Sequence, residues 1–177
     1  QEKSLTGFDD KVNWAESFTE LRRQTAGPQG IRGVIFCNEM LDAMPVHRLG
    51  WDARQRVWFE WGVSMEGERF VWTRMPEGAG SGSGKSKAAS PPVQLQPAVG
   101  AEVLEVLPDG FGVELCPAAE EWWREAAAAL GQGRLLAIDY GLSAEELFLP
   151  ERRAGTLRAY CRHQISSDVL AYPGEQD

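Results

Sequence analysis

The sequence predicts an α/β fold: a parallel sheet with helices against it and an antiparallel β-meander inserted into it. Three observations lead there. Gly33–Cys37 and Arg134–Ile138 are continuous apolar runs rather than alternating ones, the pattern of parallel strands covered on both faces. A strong helical segment runs straight into the second of them, a helix-to-strand unit of an α/β sheet. Between the two runs lie short aromatic-rich segments separated by turn residues, the signature of a meander.

Taken in order, Glu16–Arg23 places Phe18 and Leu21 three apart, which suits one or two amphipathic helical turns. Gly33–Cys37 then ends abruptly at Asn38-Glu39. Arg48–Trp51, Arg56–Trp61 and Arg69–Trp72 follow, broken at Asp52-Ala53-Arg54 and Glu66-Gly67-Glu68. These are the strands of an insertion over 46–113, packed through Trp51, Trp58 or Trp61. Inside it, 76–92 is rich in Gly, Ser, Ala and Pro, has almost nothing to bury, and reads as a flexible loop. Its run Ala79–Ser86 imitates a phosphate loop, but that motif needs Gly five positions before the Gly-Lys pair, where Ala79 stands.

Pro117–Leu130 is the best helix. Pro117 suits the first helical position, Glu120 and Glu121 favour the positive end of the helix dipole, and Trp122, Trp123, Ala126, Ala127 and Leu130 form an apolar stripe. Gly131 is placed to cap it. Ser143 and Glu146 have capping-box spacing for a short helix that Pro150 ends.

The chain has 177 residues, 43% of them hydrophobic and 25% charged, enough apolar content for a packed core. A net charge of -8 makes it a poor counterion for phosphate backbones, which argues against nucleic acid and against reading the seven Trp as a base-stacking platform. No apolar run approaches the roughly 18–20 residues that span a bilayer. The polar, acidic Gln1–Asp10 resembles neither a signal nor a transit peptide. Three cysteines, Cys37, Cys116 and Cys161, are odd in number and widely spaced, which suits a reducing compartment. Two histidines and no Cys-x-x-Cys make a structural zinc site improbable.

Parallel α/β sheets bind ligands beyond the carboxyl ends of their strands. Glu39 and Asp42 stand just past one such end, where a helical turn would bring them to one side; Asp139 and Tyr140 stand just past the other. Two strand ends with carboxylates thus face one crevice. The alternative for each carboxylate is a structural one, capping a helix or bonding loop amides. His163, in Tyr160-Cys161-Arg162-His163, is a catalytic candidate against the reading of an exposed structural residue. His47 reads as a meander residue, and no cysteine has a base near it in sequence.

The segment Asn38-Glu39-Met40-Leu41-Asp42-Ala43-Met44-Pro45-Val46 resembles the MidA family of S-adenosylmethionine-dependent methyltransferases. That family includes the mitochondrial assembly factor that dimethylates an arginine on a core subunit of respiratory complex I. Gln1–Trp14, Val34–His47, Glu114–Pro117, Leu135–Gly141 and Gly155–His163 with Pro173–Asp177 follow the family's segments in order. The family's Gly-rich cofactor loop has no counterpart in this chain, and members continue past the Pro-Gly-Glu-Gln-Asp end. The resemblance therefore implies an internal piece: one incomplete methyltransferase domain over 1–177, with a partial Rossmann-like class I methyltransferase sheet.

It also implies S-adenosyl-L-methionine as cofactor, a protein substrate that could be a complex I subunit, and a cytoplasmic site, or the mitochondrial matrix in a eukaryote. Glu39 falls where arginine methyltransferases of this fold keep a guanidinium-binding Glu, with Asp42 as its support. Asn38 is expected at the cofactor's methionine part, and Asn13 and Trp14 beside the adenine. Asp139, Tyr140 and His163 complete the expected catalytic set. Two other classes remain open. One is a Mg-dependent phosphate enzyme with Glu39, Asp42 and Asp139 as ligands. The other is a non-catalytic assembly factor that docks through the Trp-rich meander.

Overall fold

The computed structural model of the chain describes residues 11–25, 29–76 and 96–176. Gln1–Asp10, all but Pro76 of the loop expected at 76–92, and the Ala79–Ser86 run lie outside them. The elements in chain order are α1 (Phe18–Thr25), β1 (Ile31–Asn38), β2 (His47–Asp52), β3 (Val57–Glu66), β4 (Arg69–Arg74), α2 (Ala101–Val106), β5 (Gly112–Leu115), α3 (Pro117–Ala129), β6 (Leu130–Ile138), α4 (Ala144–Leu147), β7 (Ala159–Cys161) and β8 (Gln164–Ser166). The chain folds into two compact units, one from residues 1–44 and 117–140, the other from 45–116 and 141–177.

In the first unit β1 and β6 pair in parallel, with Val34 opposite Arg134, Phe36 opposite Leu136 and Asn38 opposite Ile138. This is the strand pair that the two apolar runs predict. Gly133 permits the close approach: it has φ 145°, and a Cβ there would collide with the Gly33 carbonyl. α1 is capped by Ser17, whose Oγ accepts from the Glu20 amide at 3.2 Å. It meets α3 through Phe18 and Trp122, whose ring centroids are 5.6 Å apart. α3 buries Ala126 and Ala129.

Two expectations are corrected here. α3 ends at Ala129 and β6 begins at Leu130, so Gly131 is a strand residue rather than a helix cap. A side chain there would strike the Gln29 carbonyl, so close backbone packing is what needs the glycine. The strands are also not covered on both faces among the described residues. Cys37 is buried, with Ile35, Leu135 and Ala137 partly buried on its side, whereas Val34, Phe36, Leu136 and Ile138 are exposed, Phe36 by 57%. A continuous apolar run reports hydrophobicity on both faces, not which of them a given segment covers.

The second unit contains the meander. Its sheet has the order β4-β3-β2-β5 with every pairing antiparallel. The strands turn at the predicted places, but the sheet runs past residue 113, because β5 extends to Leu115 and pairs with β2. Trp51, Leu107 and Phe111 form the core cluster, with Trp58, Val103, Leu104 and Phe148 packed around it. Trp51 lies 5.2 Å from Trp58 and Phe111 stacks on Phe148 at 5.9 Å. Phe111 and Val113 are fully buried and contribute roughly 1.5–3 kcal/mol each. Trp61 faces the other side of the sheet, edge-on to Phe59 at 4.9 Å.

The segment after residue 141 is tied to this sheet by polar contacts. Glu114 Oε2 accepts from the Thr156 amide at 2.6 Å and its hydroxyl at 2.9 Å, and Arg48 donates to the Ala154 carbonyl at 2.8 Å. Arg48 also stacks over Trp72 at 4.4 Å. α4 carries the predicted capping box: the Glu146 amide donates to Ser143 Oγ at 3.3 Å, and the Ser143 amide to Glu146 at 2.8 Å.

Candidate functional site

The parallel pairing of β1 and β6 brings their carboxyl ends side by side, so Asn38 and Ile138 are partners and the residues after them share one edge. The Glu39 amide donates to the Ile138 carbonyl at 2.8 Å, which carries the ladder one residue beyond the strand. Asp139 then takes over. Its Oδ2 accepts from the amides of Met40 at 3.1 Å and Leu41 at 2.7 Å, and its Oδ1 from the amide of Tyr140 at 2.9 Å. For Asp139 the bonding of loop amides weighed from sequence is what the structure shows.

The expected helical turn after β1 does not form. Glu39 is left-handed, φ 45°, and Met44 closes a tighter turn by donating to the Leu41 carbonyl at 3.2 Å. A left-handed residue cannot start a right-handed helix. The carboxylates gather all the same. Burial first, then the charge of Asp139 and a hydrogen bond to it, with Glu39 adding, push the Asp42 carboxyl above the usual range. Burial acts on Asp139 in the same direction, but the amides of Leu41, Tyr140 and Met40 and the bond to Asp42 outweigh it and hold Asp139 below the usual range. Asp42 is therefore the member of the pair that keeps a proton longer. Cys37, one residue before the strand end, is pushed up by burial and by Asp139.

The structure thus brings together Glu39, Asp42 and Asp139, with Tyr140 beside them as an exposed ring. Asn38 is exposed at the end of β1. Asn13 and Trp14 belong to the same unit, both exposed, and the Trp14 carbonyl accepts from Gln24 at 3.1 Å. His163 belongs to the other unit. It and Arg162, φ 64° and 50°, are the two central residues of the β7–β8 hairpin turn, a type I′ geometry. His47 is a meander residue, as expected: it opens β2, and its Nδ1 lies 2.6 Å from Glu60 Oε1 on β3. The two sit diagonally on the ladder, since Glu60 pairs with Leu49, so it is the strand pairing that brings them together. Among the described residues no group of three His, Cys, Asp or Glu side chains is arranged to hold a metal ion.

A family model described as "Putative S-adenosyl-L-methionine-dependent methyltransferase" matches residues 1–177. The chain belongs to this family. S-adenosyl-L-methionine is the family's cofactor. No curated protein matches the chain significantly. Two crystal structures from Burkholderia thailandensis are similar to it. One, a superfamily member bound to S-adenosyl-homocysteine, is 29% identical with a TM-score of 0.67, over 97% of this chain and 38% of that one. The other, a native structure of a protein of the same superfamily, is 29% identical with a TM-score of 0.68, over 100% of this chain and 41% of that one. The chain spans about two fifths of the length of the chains in these two structures.

Proposed function

We propose that this chain carries the acceptor-binding side of an S-adenosyl-L-methionine-dependent methyltransferase of the MidA type, and that the acceptor is a protein arginine. The observation that carries the reading is the solvent-facing carboxylate cluster where two parallel strands end, with Glu39 exposed and its backbone left-handed. A guanidinium is planar and cationic, and it pairs with a carboxylate through two parallel N–H···O bonds. Glu39 is the clamp. Asp42 supports it as a second carboxyl, and exposed Tyr140 borders the acceptor.

The residues present fit the cationic part of the donor. A sulfonium and an ammonium suit an anionic strand edge, Asn38 adds an amide there, and Trp14 offers an exposed ring for a purine. When bound, the donor supplies an electrophilic methyl group. The chain's own task is alignment: Glu39 fixes the guanidinium so that one nitrogen faces the methyl, a proximity effect worth several kcal/mol. The MidA resemblance extends the proposal to a protein substrate such as a respiratory complex I subunit, and to the cytoplasm or the mitochondrial matrix.

In the full-length enzyme, Glu39→Gln is expected to leave S-adenosyl-homocysteine affinity nearly intact and to cut methyl transfer by about 10- to 150-fold. The basis is the roughly 1.5–3 kcal/mol of a hydrogen bond to a charged group, lost from substrate orientation. Calorimetry and labelled-methyl incorporation measure the two sides. Collapse of donor affinity with normal turnover of bound donor would move Glu39 into the cofactor site.

A further inference from the structure

We propose that Asp139 is a positioning residue whose carboxylate fixes the backbone of the Glu39 loop, and not a group that touches substrate. The inference rests on the reading of Glu39 as the guanidinium clamp. Three consecutive amides, those of Glu39, Met40 and Leu41, are all held by two consecutive residues of the other strand end. The first goes to the Ile138 carbonyl at 2.8 Å, the next two to Asp139 Oδ2 at 3.1 and 2.7 Å. Successive amides converging on one anionic oxygen define a backbone concavity. Here the anion is built in, supplied by a side chain 98 residues away from Leu41 in sequence.

Glu39 is a non-glycine residue at φ 45°. Such a conformation persists only where the surroundings over-determine it, and it concentrates at working sites. The bonds on either side of Glu39 do this: its own amide is anchored on Ile138, and the next two on Asp139. The second Asp139 oxygen accepts from the amide of Tyr140 at 2.9 Å, so both oxygens are engaged by backbone. The Asp42 carboxyl lies near enough to the same carboxylate for that charge to raise its pKa. The groups facing Asp139 are therefore Asp42 and Cys37 as titratable neighbours, with Glu39 acting on Asp42, and the amides of Met40, Leu41 and Tyr140. Asp139 leaves a guanidinium at most the remaining lone pair of Oδ1, whereas Glu39 stands exposed at the surface.

The test is a double-mutant cycle in the full-length enzyme with Glu39→Gln, Asp139→Ala and the two together, and with Asp139→Asn as the conservative variant. The readouts are labelled-methyl incorporation into arginine in extracts of cells that lack the enzyme, calorimetric affinity for S-adenosyl-homocysteine, and hydrogen exchange at residues 39–41. Asp139→Ala is expected to lose at least tenfold in transfer, to keep donor affinity within about twofold, and to lose protection at Met40 and Leu41. Asp139→Asn, which keeps one acceptor oxygen, should fall between Ala and wild type. The double variant should be no slower than Glu39→Gln alone, because Asp139 acts only through Glu39. Losses that multiply in the double variant, or an Asp139→Ala enzyme with wild-type transfer, would overturn the positioning role. Wild-type transfer in Glu39→Gln would instead overturn the clamp reading itself, with the exchange data still reporting whether Asp139 holds the loop.

Discussion

The parallel strand ends of one unit and the meander of the other hold their side chains in place by different means. The meander closes over Trp51, Leu107 and Phe111, and the deeply placed carboxylate of Glu114 is engaged by Thr156 and faces Arg48 at 3.6 Å. The strand ends have no such core at the working edge. They gather three carboxylates, keep Glu39 exposed, and fix the loop through backbone amides on Asp139. Left-handed residues show the same contrast. Arg162 and His163 are left-handed because a two-residue hairpin requires it, which is local geometry; Glu39 is left-handed under bonds from a distant strand. Strain explained by a neighbour points to a turn, and strain held from afar points to a site.

The largest effect that would sharpen this contrast is in the meander. Trp51→Ala is expected to cost about 3–5 kcal/mol by opening a cavity against Trp58, Leu107 and Phe111. Denaturant unfolding followed by tryptophan fluorescence measures it. A loss under about 1 kcal/mol would mean that the apolar cluster does not hold the sheet.

A smaller loss, about 2–3 kcal/mol, is expected for Glu114→Ala, which strips the Thr156 amide and hydroxyl of their acceptor and leaves the Arg48 charge unpaired. Glu114 Oε1 has no hydrogen-bond partner in the present arrangement, so Glu114→Gln should cost less than Ala. Equal losses for both variants would show that charge rather than hydrogen bonding holds the clip.

The smallest effect is in pH, and its sign differs between the regions. Backbone amides and Arg74 hold Asp52 below the usual range, as the Ser143 cap holds Glu146, so their stabilisation is present above the ordinary carboxylate pKa and is lost as pH falls through their lowered values. At the strand ends Asp42 is raised, so its contribution grows as pH falls through that raised value; Asp139 is lowered, so its contribution is lost only at still lower pH. Exchange protection at Met40 and Leu41 should therefore first rise on acidification and then fall, while protection in the meander only falls. Asp42→Asn should abolish the rise. A monotonic fall at both places would break the distinction.

Much of this was legible in the sequence because it is written locally. The strand pair, the meander turns, the Pro117 helix and the Ser143–Glu146 box all follow from periodicity and caps within a few residues. What escaped is long-range. β5 is four residues long, and its place beside β2 depends on pairing rather than on composition. The bonds from Asp139 to Met40 and Leu41 cross 98 and 99 residues. The hairpin at Arg162-His163 was hidden because neither residue is the Asn or Gly that usually marks such a turn. At the site, sequence placed the carboxylates on one edge but assumed a helical turn between Glu39 and Asp42, which the left-handed Glu39 forbids.

The most direct measurement is the chemical identity of the methylated residue. Full-length wild type and Glu39→Gln are each incubated with labelled S-adenosyl-L-methionine and an extract of cells lacking the enzyme, and the hydrolysed protein is separated into its methylated amino acids. The expected result is label in methylated arginine with the wild type and about 10- to 150-fold less with Glu39→Gln at unchanged donor affinity. Label in another residue, or equal label in arginine from both proteins, would contradict the assignment of the β1–β6 strand ends as a guanidinium site.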